Sequence, residues 1–278
     1  MATAISAFNG AASVIPLLSG RGAWFLRCAP SAAEALYIDL RGVIEAVGSD
    51  VADNLADGRE RFAVQRVARG ATLVHEGAHA DTLYIVQAGS FKSVKTAEDG
   101  YEHVLGFAWR CDLIGYDGLY RAQYAFSAVA LEDSRVIALP LSGLAALRHR
   151  APAFDTALQA LIARQLAHAG EIAEVMAAVA ADARLARFLV QLSAKMGERG
   201  QSPRRLLLRM NRRDIANHLG LAHETISRSF RQLAGEGWLR VDNREVEILD
   251  LDALKRCGRS TRGGGEFTTP ATASAGAA

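Results

Sequence analysis

The pattern of apolar and polar positions divides the chain into a β-rich part and a helical part. From Phe62 to about Leu141, short apolar runs alternate with glycine and aspartate, as in a small antiparallel sandwich or barrel. The strand candidates are Thr82–Gln87, Phe91–Lys95, His103–Phe107, Phe126–Ala130 and Arg135–Leu139. Between two of them, Asp99 and Gly100 have the composition of a tight hairpin turn. We therefore expect an all-β module here.

A long helical pattern follows, from about Pro152 to Ala181. Seven of its positions step by three and four residues in turn, which is the spacing of a heptad seam. These positions are Leu158, Leu161, Gln165, His168, Ile172, Val175 and Val179. A helix of about 30 residues is about 45 Å long, longer than a small β module covers, so we expect the seam to form a constitutive dimer. The alternative is a helix packed on its own domain.

Two polar residues, Gln165 and His168, lie in the middle of this seam. Buried polar residues there can fix the register of a coiled coil at some cost in stability. His168 could instead sense pH or bind a ligand, but a single histidine on a seam is more often simply hydrogen-bonded.

Two short helical patterns meet at Gly220, in the segment Arg212–Arg228. Ala216 is small where the two helices would cross, and the expected shared core is Ile215, Leu219, Leu221 and Ile226. This is the pattern of a helix-turn-helix. Upstream lie a helix at about Ala183–Gly197 and a strand at Leu206–Arg209, and downstream Glu236–Ile248 alternates as a β-hairpin wing.

The second of these helices is expected to begin near Ala222 or His223, with Glu224, Ser227 and Arg228 on one face at its N-terminal end. That end of a recognition helix enters the major groove of DNA. An ordinary helical hairpin with a charged surface is the alternative.

The two ends of the chain are less informative. Residues 1–60 are alanine-rich, with one helical stretch from Ser31 to about Val47 to which we assign no function. Residues 258–278 have almost no large apolar side chain and are predicted to be disordered. The predicted division is thus 1–60, a β-roll at 61–150, a dimerisation helix at 151–182, a winged helix-turn-helix at 183–257, and the tail.

The charge is unevenly distributed, although the whole chain of 278 residues has a net charge of only +2. Between Arg184 and Arg259 there are sixteen lysines and arginines against nine acidic residues, and the rest is net acidic. A basic domain favours a nucleic-acid partner. The three cysteines are far apart and indicate neither disulfides nor a zinc site, which fits the cytoplasm. Neither a signal peptide nor a membrane span is expected.

The order of a β-roll, a long helix and a winged helix-turn-helix resembles the Crp/Fnr family of bacterial regulators, over about Phe62 to Leu254. The likeness is greatest to the Fnr branch. The matching strings are Gly106-Phe107 with Asp112–Asp117 in the roll, Arg184–Leu189 with Ser202-Pro203 in the linker, and Arg213–Leu221 with Glu224–Arg228 in the DNA-reading element. The resemblance implies an α+β fold with a cyclic-nucleotide-binding-like jelly roll, and a transcriptional regulator rather than an enzyme.

In the Fnr branch, the residues that match Glu224, Ser227 and Arg228 read a TTGA-type half-site. Arginine suits guanine, and glutamate suits the amino group of cytosine. Contacts with the DNA backbone are expected from Arg212, Arg213, His223, Thr225 and Arg231. The implied partners are double-stranded DNA, a second copy of the chain and, if the protein is an activator, RNA polymerase.

Two departures from the family concern its ligands. The iron–sulfur members need about four cysteine thiolates, whereas Cys28 stands alone here and Ile137 occupies the position of the fourth cysteine. The cyclic-nucleotide members carry Gly-Glu-Leu and then an Arg-Ser/Thr pair, where this chain has Cys111-Asp112-Leu113 and Tyr124-Ala125. An effector pocket around Asp112, Arg121 and Tyr124 is still conceivable. We expect no bound cofactor or metal.

Other readings of single residues stay open. Haem could be ligated by Cys28, His75, His79 or His103, and Cys28 or Cys111 could be a redox-active thiol. The rival from another class is a cupin-like metal enzyme using His75, Glu76 and His79, although the usual His-x-His pair is missing. An architectural DNA binder without sequence preference is disfavoured by Glu224, because a carboxylate facing phosphates repels them.

Overall fold

The computed structural model describes residues 37–47, 60–98, 100–178 and 180–259. Within these ranges the architecture is α+β, as predicted: an antiparallel β-roll, a long helix, and a C-terminal domain of helices with a small sheet.

The β-roll contains eight strands and a ninth from the N-terminal segment. In chain order they are β1 (Tyr37–Asp39), β2 (Arg61–Val67), β3 (Thr72–Val74), β4 (Thr82–Ala88), β5 (Ser90–Thr96), β6 (Glu102–Trp109), β7 (Leu113–Ile114), β8 (Ser127–Ala130) and β9 (Ser134–Pro140). All five predicted strands coincide with observed strands to within two residues. The predicted hairpin turn joins β5 and β6, and Gly100 has a φ of +80° there.

The strands form two antiparallel sheets, in the orders β1-β2-β9-β4-β7 and β3-β8-β5-β6. Phe91 and Val86 are fully buried in the core between the sheets. Because side chains alternate along a strand, Leu83 and Ile85 of β4 point to the opposite face of the first sheet, where helices cover them. The first sheet is therefore buried on both faces.

The N-terminal segment differs from the prediction of one helix from Ser31 to Val47. Tyr37–Asp39 is strand β1, which pairs with β2, and helix α1 spans only Leu40–Ala46. The Asp39 carboxylate accepts the N–H of Gly42 at 2.8 Å and thereby caps the helix. Residues 31–36 lie outside the described residues. Val43 and Ile44 are fully buried against the first sheet.

Helix α2 (Gly118–Arg121) lies within the roll, between β7 and β8. After the roll come α3 (Leu144–Arg150) and α4 (Pro152–Met176), and α5 (Ala181–Glu198) begins the C-terminal domain. The long helix α4 thus ends at Met176, not at 181–182 as predicted. Guanidinium groups from α5 bind the carbonyls at this end: Arg184 Nε donates to Ala178 O at 2.7 Å, and Arg187 donates to Glu174 O. These bonds satisfy the carbonyls that a helix end leaves free, so the chain can turn there.

The C-terminal domain comprises α5, β10 (Arg205–Leu207), α6 (Arg212–His218), α7 (His223–Gly235), β11 (Leu239–Asp242), β12 (Glu245–Ile248) and α8 (Leu251–Arg259). Its sheet has the order β10-β12-β11. Gly258 and Arg259 belong to α8, which corrects the predicted start of the disordered tail; the rest of that prediction lies outside the described residues. None of the described helices is long and apolar enough to cross a membrane.

Candidate nucleic-acid interface

Helices α6 and α7 form the predicted helix-turn-helix. Asn211 Oδ1 accepts the N–H of Asp214 at 2.7 Å, and the Asp214 carboxylate accepts the N–H of Asn211 at 3.1 Å. This reciprocal capping box fixes the start of α6. Gly220 has a φ of +62°, in the left-handed region that residues with a Cβ avoid. The chain therefore turns sharply between the two helices.

The side chains predicted to hold the two helices together are buried. Ile215, Leu219 and Ile226 have no exposed surface, and Ala216 is 2% exposed. Only Leu221 is half-buried, at the edge of this cluster. The angle between α6 and α7 is thus set by close apolar packing.

The three predicted base-reading residues lie in the first two turns of α7. Glu224 and Arg228 are exposed, and Ser227 is half-buried with its hydroxyl donating to His223 O at 3.0 Å. Arg228 lies 3.5 Å from the Thr225 hydroxyl and forms no ion pair with Glu224. Both charged groups are therefore available to an external partner.

The N-terminus of α7 is also available. Its N-cap residue, Ala222, offers no side-chain hydrogen bond, so the first backbone N–H groups are free to bind a phosphate. His223 is exposed at this end. Arg231 is exposed one turn further along, where its Nε donates to Ser227 O at 3.3 Å.

The wing forms a positively charged cleft with the helix-turn-helix. Strands β11 and β12 are joined by a two-residue turn of Asn243 and Arg244, and Asn243 has a φ of +50°. The cleft has a volume of about 320 Å³, and the cationic residues Arg212, Arg213 and Arg244 line it together with His223. Sequence reasoning missed Arg244, although its place at the tip of the predicted hairpin could have indicated it.

Arg212 does not have the environment expected of a phosphate contact. Its guanidinium lies over the Phe230 ring, 3.4 Å from the centroid, and donates to Asn243 O at 3.2 Å. Burial lowers the pKa of Arg212 to about 10, so the group stays charged at neutral pH. Arg212 therefore braces the wing against α7 while it also lines the cleft, and its predicted backbone contact stays a prediction; Arg213 is exposed.

The helix-turn-helix is docked on the β-roll through polar contacts that the sequence did not indicate. Lys92 of β5 forms a 2.8 Å ion pair with Asp214, and both side chains are largely buried. Asn217 donates to Glu102 O at 2.6 Å, and His218 Nδ1 lies 3.2 Å from Val104 O. The first helix of the DNA-reading element is thus attached to β5 and β6.

A second connection lies beyond the C-terminal end of α5. Arg199 binds both carboxylate oxygens of Asp112 at 3.0 Å, with the two side chains 9% and 2% exposed. The Trp109 N–H also donates to Asp112 at 2.9 Å. This buried ion pair fixes the C-terminal domain against the turn between β6 and β7.

His218 lies in an aromatic cluster with Phe107 and Phe188, at centroid distances of 5.1 and 5.7 Å. Burial lowers the pKa of His218, the hydrogen bond to Val104 O raises it, and Lys195 lowers it further. Burial and Lys195 also lower the pKa of His168 on α4. Both side chains thus favour the neutral form.

The residues of the predicted dimer seam face their own chain. Leu158 and Leu161 are 3% and 2% exposed in the core beneath the roll, and Val175 is 2% exposed in the core of the C-terminal domain. Gln165, His168 and Ile172 are half-buried around a pocket of about 250 Å³ against β6. Val179 lies outside the described residues. The alternative, a helix packed on its own domains, describes this face.

A different face of α4 is exposed. Ile162, Leu166 and Met176 are 36%, 76% and 39% exposed. Together with the exposed alanines at 169 and 173 they step by four, three, four and three residues, and we call these five residues the exposed stripe. Each lies one position after a residue of the predicted seam, so α4 carries heptad spacing on two faces.

The three residues of the conceivable effector pocket have separate environments. Asp112 is tied to Arg199, and Tyr124 lies in the core of the roll with its hydroxyl donating to Thr82 O at 2.7 Å. Arg121 is exposed and lies over the Tyr120 ring, 5.8 Å from its centroid. The structure therefore contradicts this pocket. Ala125, where the cyclic-nucleotide members carry a hydroxyl, donates its N–H to Asp117.

The remaining candidate ligands do not converge either. His75 and His79 are exposed, and Glu76 accepts the N–H of Thr96 at 2.9 Å. Cys111 is buried, while Cys28 lies outside the described residues. Among the described residues, no group of three or more potential ligands is arranged to hold a metal ion.

Comparison with known proteins finds matches to both domains. Residues 64–151 match the cyclic nucleotide-binding domain family, and residues 183–257 match the Crp-like helix-turn-helix domain family. The chain is 34% identical over 191 residues to the transcriptional regulatory protein Btr of Bordetella pertussis, covering 69% of this chain and 79% of that protein. It is 33% identical over 196 residues to the fumarate and nitrate reduction regulatory protein of Escherichia coli, covering 70% and 78%.

Solved structures show the same fold. FixK2 from Bradyrhizobium japonicum superposes with a TM-score of 0.65 at 24% identity, over 72% of this chain and 99% of that one. A CooA mutant from Carboxydothermus hydrogenoformans gives 0.59 at 23% identity, over 71% and 88%.

Proposed function

The chain belongs to the Crp/Fnr family of transcriptional regulators, and from this premise we propose that it binds, as a homodimer, an inverted repeat of TTGA-type half-sites. The observation that carries the proposal is the pair of exposed charges of Glu224 and Arg228 on one face at the start of α7, which form no ion pair among the described residues. A sequence-independent binder gains nothing from Glu224, since a carboxylate near phosphates is repelled. A protein that reads bases gains from it an acceptor for the amino group of cytosine.

The chemistry of these side chains fits the half-site. TTGA contains one G·C pair, which offers guanine O6 and N7 to a bidentate arginine and the cytosine amino group to a carboxylate. Arg228 and Glu224 supply those two groups. Ser227 can contact either kind of base edge.

Contacts with the DNA backbone position the helix without reading the sequence. We assign them to Arg213 and Arg244 in the wing cleft, to His223 and the free N–H groups at the start of α7, and to Thr225 and Arg231 along the helix. Arg212 acts indirectly, through the wing that it braces.

The homodimer is proposed to form through the exposed stripe of α4. The five residues of the stripe are apolar and uncharged, and Leu166 alone is 76% exposed in the single chain. The small side chains at 169 and 173 allow two helices to approach closely. A dimer of this kind is expected to read half-sites about one turn of DNA, roughly 34 Å, apart.

The β-roll is proposed to bind no cyclic nucleotide. Tyr124 fills the interior where the family's Arg-Ser/Thr pair would act, and Asp112 is already bound by Arg199. As a regulator of transcription, the protein is proposed to act in the cytoplasm without catalytic activity, and to contact RNA polymerase where it activates.

Fluorescence anisotropy tests the DNA-reading assignment. The wild-type chain is expected to bind a TTGA inverted repeat at least about a hundredfold more tightly than a scrambled duplex. Arg228→Ala should weaken binding to the repeat by about 1–3 kcal/mol and reduce discrimination at the G·C pair.

Arg231→Ala is the matched control, since it removes the same charge one turn further along α7. It should weaken binding to both duplexes equally. Equal losses on both duplexes for Arg228→Ala would refute the assignment of base reading.

A further inference from the structure

A large cleft lies between the β-roll and the C-terminal domain. It has a volume of about 880 Å³, within the range of small-molecule sites. The roll contributes the turns after β4 and β8, α1 forms one rim, and the end of α5 and β10 form the facing wall. Five arginines line it, namely Arg110, Arg135, Arg199, Arg205 and Arg209.

Three of these arginines have carboxylate partners. Arg199 binds Asp112, Arg209 lies 3.1 Å from Glu132, and Arg205 lies 3.5 Å from Glu247. Their charges are therefore compensated within the chain.

Arg110 and Arg135 have no such partner among the described residues. Neither guanidinium forms a hydrogen bond or ion pair there, and Arg110 Nε is buried without an acceptor. A half-buried guanidinium without an anion has lost part of its hydration and gained nothing in exchange. Two such groups in one cleft leave positive charge that a bound anion would compensate.

The backbone brings these two arginines to the same place. The N–H of Cys111, next to Arg110, donates to Val86 O at 2.8 Å on one side of β4. On the other side, Ala88 pairs with Arg135 of β9. Arg110 and Arg135 therefore flank the end of β4.

We propose that this cleft binds a phosphate-bearing small molecule, whose oxygens accept hydrogen bonds from Arg110 and Arg135. The planar fork of arginine matches the oxygens of a phosphate, and two forks match a doubly charged group. Three carboxylates also line the cleft, but Glu132 is paired with Arg209 and Asp133 accepts the N–H of Arg69 at 2.9 Å, which leaves Glu45.

Such a ligand would act on both domains. Since its binding site has walls from the roll and from the C-terminal domain, binding stabilises the arrangement in which the two are docked. This gives the protein a route for a small-molecule signal that does not use the interior of the roll.

Isothermal titration calorimetry of the full-length chain with inorganic pyrophosphate tests the proposal, with citrate as a carboxylate of similar charge. One pyrophosphate per chain is expected to bind, more tightly than citrate. Arg110→Gln and Arg135→Gln should each weaken binding at least tenfold, and Glu45→Gln should strengthen it.

Two controls separate this cleft from other cationic surfaces. Arg121→Gln removes an exposed arginine elsewhere on the roll, and Arg213→Gln removes one from the DNA-binding surface; both should leave pyrophosphate binding unchanged. Loss of binding in Arg213→Gln, unchanged binding in both cleft variants, or no binding at millimolar pyrophosphate would overturn the proposal, and citrate binding as tightly would overturn the preference for phosphate. No DNA is present, so failure of the TTGA assignment would not affect the result.

Discussion

Arg212 and Arg213 are neighbours in sequence but have different physical roles. Arg212 is half-buried over Phe230 and bound to the wing, whereas Arg213 is exposed in the cleft that the wing forms. A sequence pattern of basic residues cannot separate them, because the difference arises only when the wing folds back on α7.

This difference predicts opposite effects of two alanine substitutions. Arg212→Ala should lower the free energy of unfolding by about 1–3 kcal/mol, because it removes a cation–π contact and a hydrogen bond. Arg213→Ala should leave stability unchanged but weaken binding to every DNA sequence and reduce the salt slope by about 1. Urea unfolding and salt titrations of binding measure the two effects. Equal stability of both variants would contradict the role given to Arg212.

His218 and His168 make stability depend on pH. Their pKa values are lowered in the folded chain, so below about pH 6.5 the unfolded chain takes up protons that the folded chain does not. Stability therefore falls as the pH drops from about 6.5 towards the lowered folded pKa values.

Thermal unfolding between about pH 7.5 and 5.5 tests this expectation. The midpoint of the wild-type chain should decrease over this range, and the double variant His168→Gln/His218→Gln should show a smaller decrease. An identical pH dependence of the two proteins would contradict it.

At the scale of whole elements, the exposed stripe of α4 makes a testable dimer interface. Leu166→Glu should convert the dimer to a monomer, since it places two carboxylates against each other across the symmetry axis while costing little in the single chain. Ala167→Glu, one residue further and off the stripe, should leave the dimer intact. Sedimentation at low micromolar concentration distinguishes them. A dimeric Leu166→Glu protein would refute the stripe.

The helices and strands show what a sequence pattern can and cannot determine. The roll strands were predictable, because alternation along segments such as Thr82–Gln87 reflects a sheet with apolar contacts, and glycines mark its turns. The turn at Gly220 and the burial of Ile215 and Ile226 were predictable for the same local reasons.

Long-range contacts set what the sequence did not predict. Heptad spacing in α4 indicates that Leu161 and Val175 contact an apolar surface. It does not indicate whether that surface belongs to another chain or to the same chain. The end of α4 at Met176 likewise depends on guanidinium groups from α5, and the role of Asp112 depends on Arg199, which is 87 residues away.

At the scale of the whole molecule, the Asp112–Arg199 pair connects the roll to the C-terminal domain. Asp112→Asn should lower stability by about 3–5 kcal/mol, since it leaves the buried charge of Arg199 without a partner. Asp112→Asn/Arg199→Gln, which removes both charges, should recover part of the loss.

Urea unfolding of the two single variants and the double variant gives the coupling between these residues. Strictly additive losses would show that the ion pair does not connect the domains.

The two faces of α4 have a consequence for how the protein responds to its own abundance. In the proposed dimer, residues one position apart would contact different bodies: Gln165 faces its own chain, and Leu166 would face the second copy. Because the stripe has only three large apolar side chains, the apolar area that can hold two copies together is limited. Below the dissociation constant of such a dimer, the number of dimers rises with the square of the number of chains. Occupancy of the operator would then increase more than proportionally with the rate at which the regulator is synthesised.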